Sequence, residues 1–162
     1  TPLFIASQDG HTEVVRLLLK EGARADQATS DGAAPLFVAS EKGHTEVVRL
    51  LLKEGGAPVD QAFSRNGATP LFVASKEGHT EVVRVLLQQG ARVDQAAANG
   101  VTSLIIASYS GNVEVVRVLL REGARADQAT PDGATPQLVA RQQGHAEVVD
   151  VLRQHIGSVG LP

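Results

Sequence analysis

The 162-residue chain has no cysteine, no methionine and no tryptophan. Without cysteine it forms no disulfide and no thiolate metal site, which is compatible with a reducing, intracellular compartment, cytoplasm or nucleus. Aromatic residues are scarce: one Tyr and four Phe, 3% of the chain, against 43% apolar residues in all. A core built from this stock has to be aliphatic and rich in alanine, which suits thin, closely stacked layers. Charge of one sign is not in excess either. Fifteen Lys and Arg stand against eighteen Asp and Glu, a net charge of −3 with the two signs interspersed. No basic stripe stands out, which argues against a nucleic-acid partner. No apolar run approaches the length of a membrane span, which argues against a membrane partner, and no signal-peptide pattern opens the chain.

What the chain does have is repetition. The block from Asp31 to Leu52, DGAAPLFVASEKGHTEVVRLLL, recurs with small changes along its length. Its anchor glycines are Gly10, Gly43, Gly78, Gly111 and Gly144, spaced 33, 35, 33 and 33 residues apart. A near-constant period in this range marks a stacked array. Each unit is too small to bury its own apolar face, so neighbours bury it together and the chain reads as one continuous domain.

Within the unit, Asp31-Gly32 signals a turn. A helix then opens at Ala34-Pro35, or at Thr69-Pro70 and Thr135-Pro136 in other units. Thr is a good N-cap and Pro suits the first helical position. Leu36, Phe37, Val38 and Ala39 are apolar nearly all round, so this helix must be covered on most sides. Gly43 ends it as a C′ glycine. A second helix starts near Thr45-Glu46, with Glu46 in the first turn where the helix dipole favours a carboxylate. Val47, Leu50 and Leu51 fall on one face, and Glu46 and Arg49 are spaced to pair at the surface. Gly55 ends the helix, and the turn-rich stretch to Asn66-Gly67 has room for a protruding finger.

Thr69-Pro70-Leu71-Phe72-Val73-Ala74, then Gly78-His79-Thr80-Glu81-Val82-Val83, then Leu86-Leu87 and Gly90-Ala91 closely resemble the ankyrin repeat. The resemblance covers nearly the whole chain. It implies an all-α solenoid of about five helix-turn-helix units with hairpin-like fingers, spanning 1–30, 31–65, 66–98, 99–131 and 132–156, with a tail at 157–162 where structure is expected to end. It also implies a non-enzymatic protein-binding scaffold.

Two features depart from the family pattern. The His expected after Thr-Pro-Leu is replaced by Phe4, Phe37, Phe72, Ile105 and Leu138, so an apolar contact stands where a polar tie between units is usual. Two extra residues, around Gly55-Gly56 and Phe63-Ser64-Arg65, lengthen one finger and are expected to disturb the stack locally. The ends differ as well. Gln137 and Arg153 stand where other units have stacked leucines, as a terminal cap requires. The first unit shows no such change: Leu3, Phe4, Leu17 and Leu18 have interior character. The chain opens on Thr1, inside a repeat, so a cap or further repeats are expected upstream, or a second copy covering this face. A targeting signal upstream of Thr1 is compatible with this opening.

His11, His44, His79 and His145 occupy one place in the first, second, third and fifth units, with Asn112 in the fourth. Equivalent places on stacked helices lie about 8–10 Å apart, whereas ligands converge to about 2 Å from one ion. A hydrogen-bonding structural role is therefore favoured over a metal site. His155 lies outside this ladder and reads as a solvated helix-end residue. Ser7, Ser40, Ser75 and Ser108 are equivalent small packing positions rather than nucleophiles, since a catalytic centre needs one unusual constellation. No phosphate loop is present and no cofactor is implied. Asp26-Gln27, Asp60-Gln61, Asp94-Gln95 and Asp127-Gln128 recur at the finger bases. They read as turn hydrogen-bonding positions, with an acidic ladder for a basic partner as the alternative.

In ankyrin-like stacks partners lie across the fingers and the exposed side of the first helices. Carried onto this sequence, that places Phe63, Arg65, Val101, Tyr109, Lys76 and Lys42 on the binding surface, because these positions vary between units and aromatics and Arg are enriched at hot spots. Two bland alternatives stand beside this: Phe63 folding down over the extra residues, and Tyr109 as an ordinary exposed side chain. A monomer that binds an unidentified protein is the first reading. Self-stacking through the first unit is the second. Near-identical units fit a consensus-built scaffold as well as natural duplication.

Overall fold

The computed structural model describes residues 1–159. Among them are ten helices and no strand: α1 (Pro2–Asp9), α2 (Thr12–Lys20), α3 (Pro35–Lys42), α4 (Thr45–Lys53), α5 (Pro70–Glu77), α6 (Thr80–Gln88), α7 (Ser103–Ser110), α8 (Val113–Arg121), α9 (Pro136–Gln142) and α10 (Ala146–Val159). No helix among the described residues is long and apolar enough to cross a membrane.

Local chemistry sets the helix ends. The hydroxyls of Thr1, Thr69, Thr102 and Thr135 accept from the backbone N–H of Phe4, Phe72, Ile105 and Leu138 at 3.2–3.3 Å, satisfying donors that have no partner inside the helix. Gly43 ends α3 at φ 76°, and the N–H of His44 returns to the Ala39 carbonyl at 3.0 Å. That left-handed turn is why the next helix reverses direction within two residues.

The odd-numbered helices pack side by side in chain order, α1 on α3 on α5 on α7 on α9, and the even-numbered helices do the same, each also resting on its own odd partner. The core between the two rows is aliphatic, as the composition requires. Leu36, Leu71 and Leu104 are sealed in it, with Leu51, Leu86, Leu119 and Leu152 from the second row and Ala39, Ala74 and Ala107 filling the narrow spaces. Outside the second row, Arg49 pairs with Glu46 at 3.3 Å on its own helix and with Glu81 of the next at 3.6 Å. Arg117 bridges Glu114 and Glu147 in the same way, both at 3.6 Å.

The fingers are tight turns rather than strands. They close through backbone bonds from Thr29 to Ala33, Phe63 to Ala68, Ala97 to Val101 and Thr130 to Ala134 at 2.8–3.0 Å. The Phe63 turn spans one residue more than the others. The second extra residue lies before it, where Ala57 N–H reaches back to Leu51 O while Ala23, Ala91 and Ala124 reach back one residue less. Both insertions are absorbed in turns, so α3 and α5 pack as the other odd-numbered neighbours do. The expected disturbance of the stack is not found.

Two expectations at the ends need correction. Structure does not stop at residue 156: α10 runs through Gly157 and Ser158 to Val159, while Gly160, Leu161 and Pro162 lie outside the described residues. The reason is local. Earlier second helices meet Gly22, Gly55, Gly90 or Gly123 after their last turn, and Ile156 stands at that place in the last unit. His155 is consequently inside the helix and half-buried, not at its end. At the other end Leu3 is buried, and the exposed apolar residues are Ile5, Val14 and Leu17, of which only Leu17 was expected.

Candidate partner-binding surface

The odd-numbered helices and the fingers face one another across a groove whose floor starts from the Phe positions. Phe4, Phe37 and Phe72 come from the same place in α1, α3 and α5, and Phe63 reaches in from the lengthened finger. The Phe37 and Phe63 rings lie 5.1 Å apart between centroids, tilted by 32°, within the range where offset aromatic pairs attract. The Arg65 guanidinium carbon lies 6.0 Å from the Phe63 centroid, at the outer reach of a cation–π contact. Around these rings is an open hollow of about 470 Å³, with Glu41 and Lys76 on its helix side and Asp31 and Asn66 on its finger side.

A second hollow of about 480 Å³ follows downstream. Val101, Ile105 and Tyr109 line it with Pro131 and Asp132 of the next finger. Ile106 lines both hollows and joins them. Tyr109 is half exposed, with 49% of its surface open.

The helix side of the groove is held from behind by the His ladder. His79 Nε2 donates to the Glu41 carbonyl at 2.9 Å, and His44 does so to Gln8 at 2.9 Å. His145 donates to the Tyr109 carbonyl at 3.0 Å. Asn112 performs the same task with its amide, donating to Ser75 and Lys76 carbonyls at 2.8 Å each. Each tie therefore fixes the backbone at a residue that lines the groove. The structural role expected for these side chains is found, and it supports the candidate surface directly. Among the described residues no group of three or more His, Cys, Asp or Glu is placed to hold a metal ion.

The finger side is tied between units too. Asp60 accepts from the Arg92 backbone N–H at 3.2 Å and its Nε at 3.1 Å, and Asp94 accepts from the Arg125 N–H at 3.0 Å. Gln61 donates to the Asp26 carbonyl at 2.7 Å. Within its own finger Asp31 accepts from the Thr29 hydroxyl, and this bond holds its carboxyl below the ordinary carboxylate range. Its own backbone N–H and, more weakly, the Arg65 charge act in the same direction. The equivalent serines are fully buried, and Ser108 Oγ donates to the Leu104 carbonyl at 2.7 Å.

Of the six expected surface residues, the structure brings Val101 and Tyr109 together in one hollow, and Phe63 and Lys76 in the other, with Arg65 beside Phe63. Phe63 is half-buried rather than displayed on an exposed finger. It folds onto Phe37, not over the extra residues. Lys42 lines neither hollow; it ends α3, exposed, 3.9 Å from Glu41. Sequence reasoning missed Phe4, Phe37, Phe72 and Ile106 as groove residues, while the apolar contact between units that it expected at the Phe positions is found, Phe4, Phe37 and Phe72 sharing one cluster. The available signal was that three of only four Phe recur at one place in consecutive units.

The family model described as "Ankyrin repeats (3 copies)" matches residues 1–62, 56–130 and 90–160. No curated protein matches the chain.

Proposed function

Because the chain belongs to the ankyrin-repeat family, whose members generally serve protein–protein interaction rather than catalysis, we propose that it is a single solenoid domain of five stacked helix pairs that binds a protein through the groove between fingers and odd-numbered helices. One observation carries this reading. The core repeats almost unchanged from unit to unit, while the groove lining changes: Phe37, Phe63 and Phe72 in one hollow, Val101, Ile105 and Tyr109 in the next. Residues free of the stacking constraint are those available for recognition. The mixed charge at the groove suits a protein partner rather than nucleic acid, and the absence of cysteine suits the cytoplasm or nucleus. The test is capture from source-cell lysate with the parent chain and with a Tyr109→Ala/Arg65→Ala double variant of unchanged circular dichroism. A protein held by the parent and released by the variant supports the surface. Equal capture by both removes it.

A second reading rests on the upstream face of the first helix pair. Leu17 is 60% exposed and Val14 47%, whereas Leu50 and Val47, at the same places in the next unit, are 7% and 1% exposed. Covering of this face by a second copy predicts concentration-dependent dimers in sedimentation. A monomer at the highest concentration reached would exclude it.

A further inference from the structure

The finger carrying Phe63 departs from its neighbours in several linked ways. In the fingers at Thr29 and Thr130 the Thr hydroxyl closes the turn, accepting from Ala33 and Ala134 N–H at 3.1 and 2.9 Å. Phe63 stands at that place in the longer finger, as Ala97 does in the next, and in both closure passes to an Asn: Asn66 Oδ1 accepts from Ala68 N–H at 3.0 Å and Asn99 Oδ1 from Val101 N–H at 3.2 Å. The Phe63 side chain is thus released from the turn and turned into the groove. Arg65 comes with it. Arg16, Arg24, Arg49, Arg84, Arg92, Arg117 and Arg125 all pair with carboxylates. Arg65, like Arg121, Arg141 and Arg153, pairs with none among the described residues, and its guanidinium carbon lies 6.0 Å from the Phe63 centroid. A guanidinium parked over a ring keeps its edge N–H groups free to fork a carboxylate. Across the same hollow, Lys76 is engaged only by its exposed neighbour Glu77, at 3.0 Å. The hollow is therefore apolar at its base, with Lys76 and the neighbouring Arg65 toward its downstream rim and Asp31 and Glu41 toward its upstream rim.

The second hollow lies two odd-numbered helices further on. At about 8–10 Å between packed helices, the two are about 16–20 Å apart. An extended chain advances about 3.3 Å per residue, so this distance is about five or six residues. A helix rising about 1.5 Å per residue would need more than ten.

Resting on the reading that this groove is the binding surface, we propose that its partner is an extended acidic–apolar segment of another protein. A large apolar side chain enters the Phe37–Phe63–Phe72 hollow, an adjacent Asp or Glu is clasped by Arg65 with Lys76 near, and a second apolar side chain five or six residues on enters beside Tyr109.

The probe is a displayed library of random peptides of about 20 residues, long enough to hold either the extended or the helical spacing, selected on the full chain. The strongest binders are then measured by fluorescence anisotropy against the parent, Arg65→Glu and Tyr109→Ala, each checked for folding by thermal melting. The expected result is enrichment of an acidic residue next to an apolar one with a second apolar residue five or six positions away. Affinity should fall about tenfold or more in Arg65→Glu and return when the peptide's acid is exchanged for Lys. Selected peptides lacking the acid, or a binding loss in Arg65→Glu that the Lys peptide does not rescue, overturn the proposal. An apolar spacing above ten residues does so as well, since it specifies a helix. If such peptides still lose affinity in Tyr109→Ala, the groove stands and only the partner chemistry fails. Peptides indifferent to both substitutions overturn the groove reading too. Failure to enrich any peptide overturns the extended segment, leaving the lysate capture to decide the broader reading.

Discussion

At one repeated position, His79 and Asn112 do the same job with different groups, each donating a hydrogen bond to the end of the odd-numbered helix of the unit before. The ring also fills a space kept open by glycine: a Cβ on Gly43, already at φ 76°, would lie 2.6 Å from His79 Nδ1. His79→Ala should therefore cost about 1–2 kcal/mol, one hydrogen bond and an unsatisfied carbonyl, and His79→Asn should recover most of that, both read by urea unfolding. If Asn is no better than Ala, the tie is not what the position supplies. Asp31 makes a second prediction at this scale. Its folded pKa is lowered, so its contribution to stability is present above the ordinary carboxylate range and fades as pH falls through the folded value. Thr29→Val should move the Asp31 titration, followed by carbon-detected NMR, up toward the ordinary range. Arg65→Ala should move it up less, because the hydrogen bond is the larger cause. At this scale the sequence was legible as far as residue type. The His and Asn positions announced a hydrogen-bonding role, but not that the acceptor would be the backbone of Glu41, Lys76 or Tyr109, because the partner lies one unit away in the chain.

At the scale of the element, α2 and α4 have the same sequence, TEVVRLLLK, and differ in what covers them. Periodicity, capping and charge order are legible from that string alone, and both helices form where it places them. Burial is not, because α4 is covered by α2 on its upstream side and α2 has no helix there among the described residues. Leu17→Lys should change stability by about 0.5 kcal/mol or less, whereas Leu50→Lys should cost about 3 kcal/mol or more by driving an unpaired ammonium against the core. Thermal melts of the two variants give the comparison. Similar losses would mean that Leu17 is covered in solution, in agreement with the self-association reading. The helix that sequence placed wrongly, α10, fails for an equally local reason. A unit-by-unit reading carried the helix stop forward to the last copy, but Ile156 replaces the glycine that makes it.

At the scale of the whole molecule, the all-helical fold follows from the repeat, but the groove does not. Phe37 and Phe63 sit on different elements, a helix and a finger, and which side of the odd-numbered row a repeated Phe faces is decided by the packing of its neighbours. Phe37 is 8% exposed while Leu138, at the same place in the last unit, is 41% exposed. Among the described residues the extensive helix contacts run within a pair or between adjacent pairs, so cooperativity passes chiefly from pair to pair. A central pair such as α5 and α6 is braced on both sides. The pairs α1/α2 and α9/α10 are braced on one, so their opening costs one interface less. Amide hydrogen exchange should therefore be slowest in α5 and α6 and fastest in α1, α2, α9 and α10. Leu71 is fully buried, and Leu71→Ala should remove about 2–5 kcal/mol. Because it weakens the middle, it should speed exchange on both sides of α5. Leu3→Ala, also at a buried site, should speed exchange in α1 and α2 and leave α7 to α9 unchanged. Exchange that accelerates equally everywhere in both variants would mean that the chain opens as one unit and that stability does not pass through nearest neighbours. The groove would then be as rigid at its upstream hollow as at its centre. The pairwise scheme instead makes the α1 edge, where Phe4 stands, the part of the binding surface that yields first.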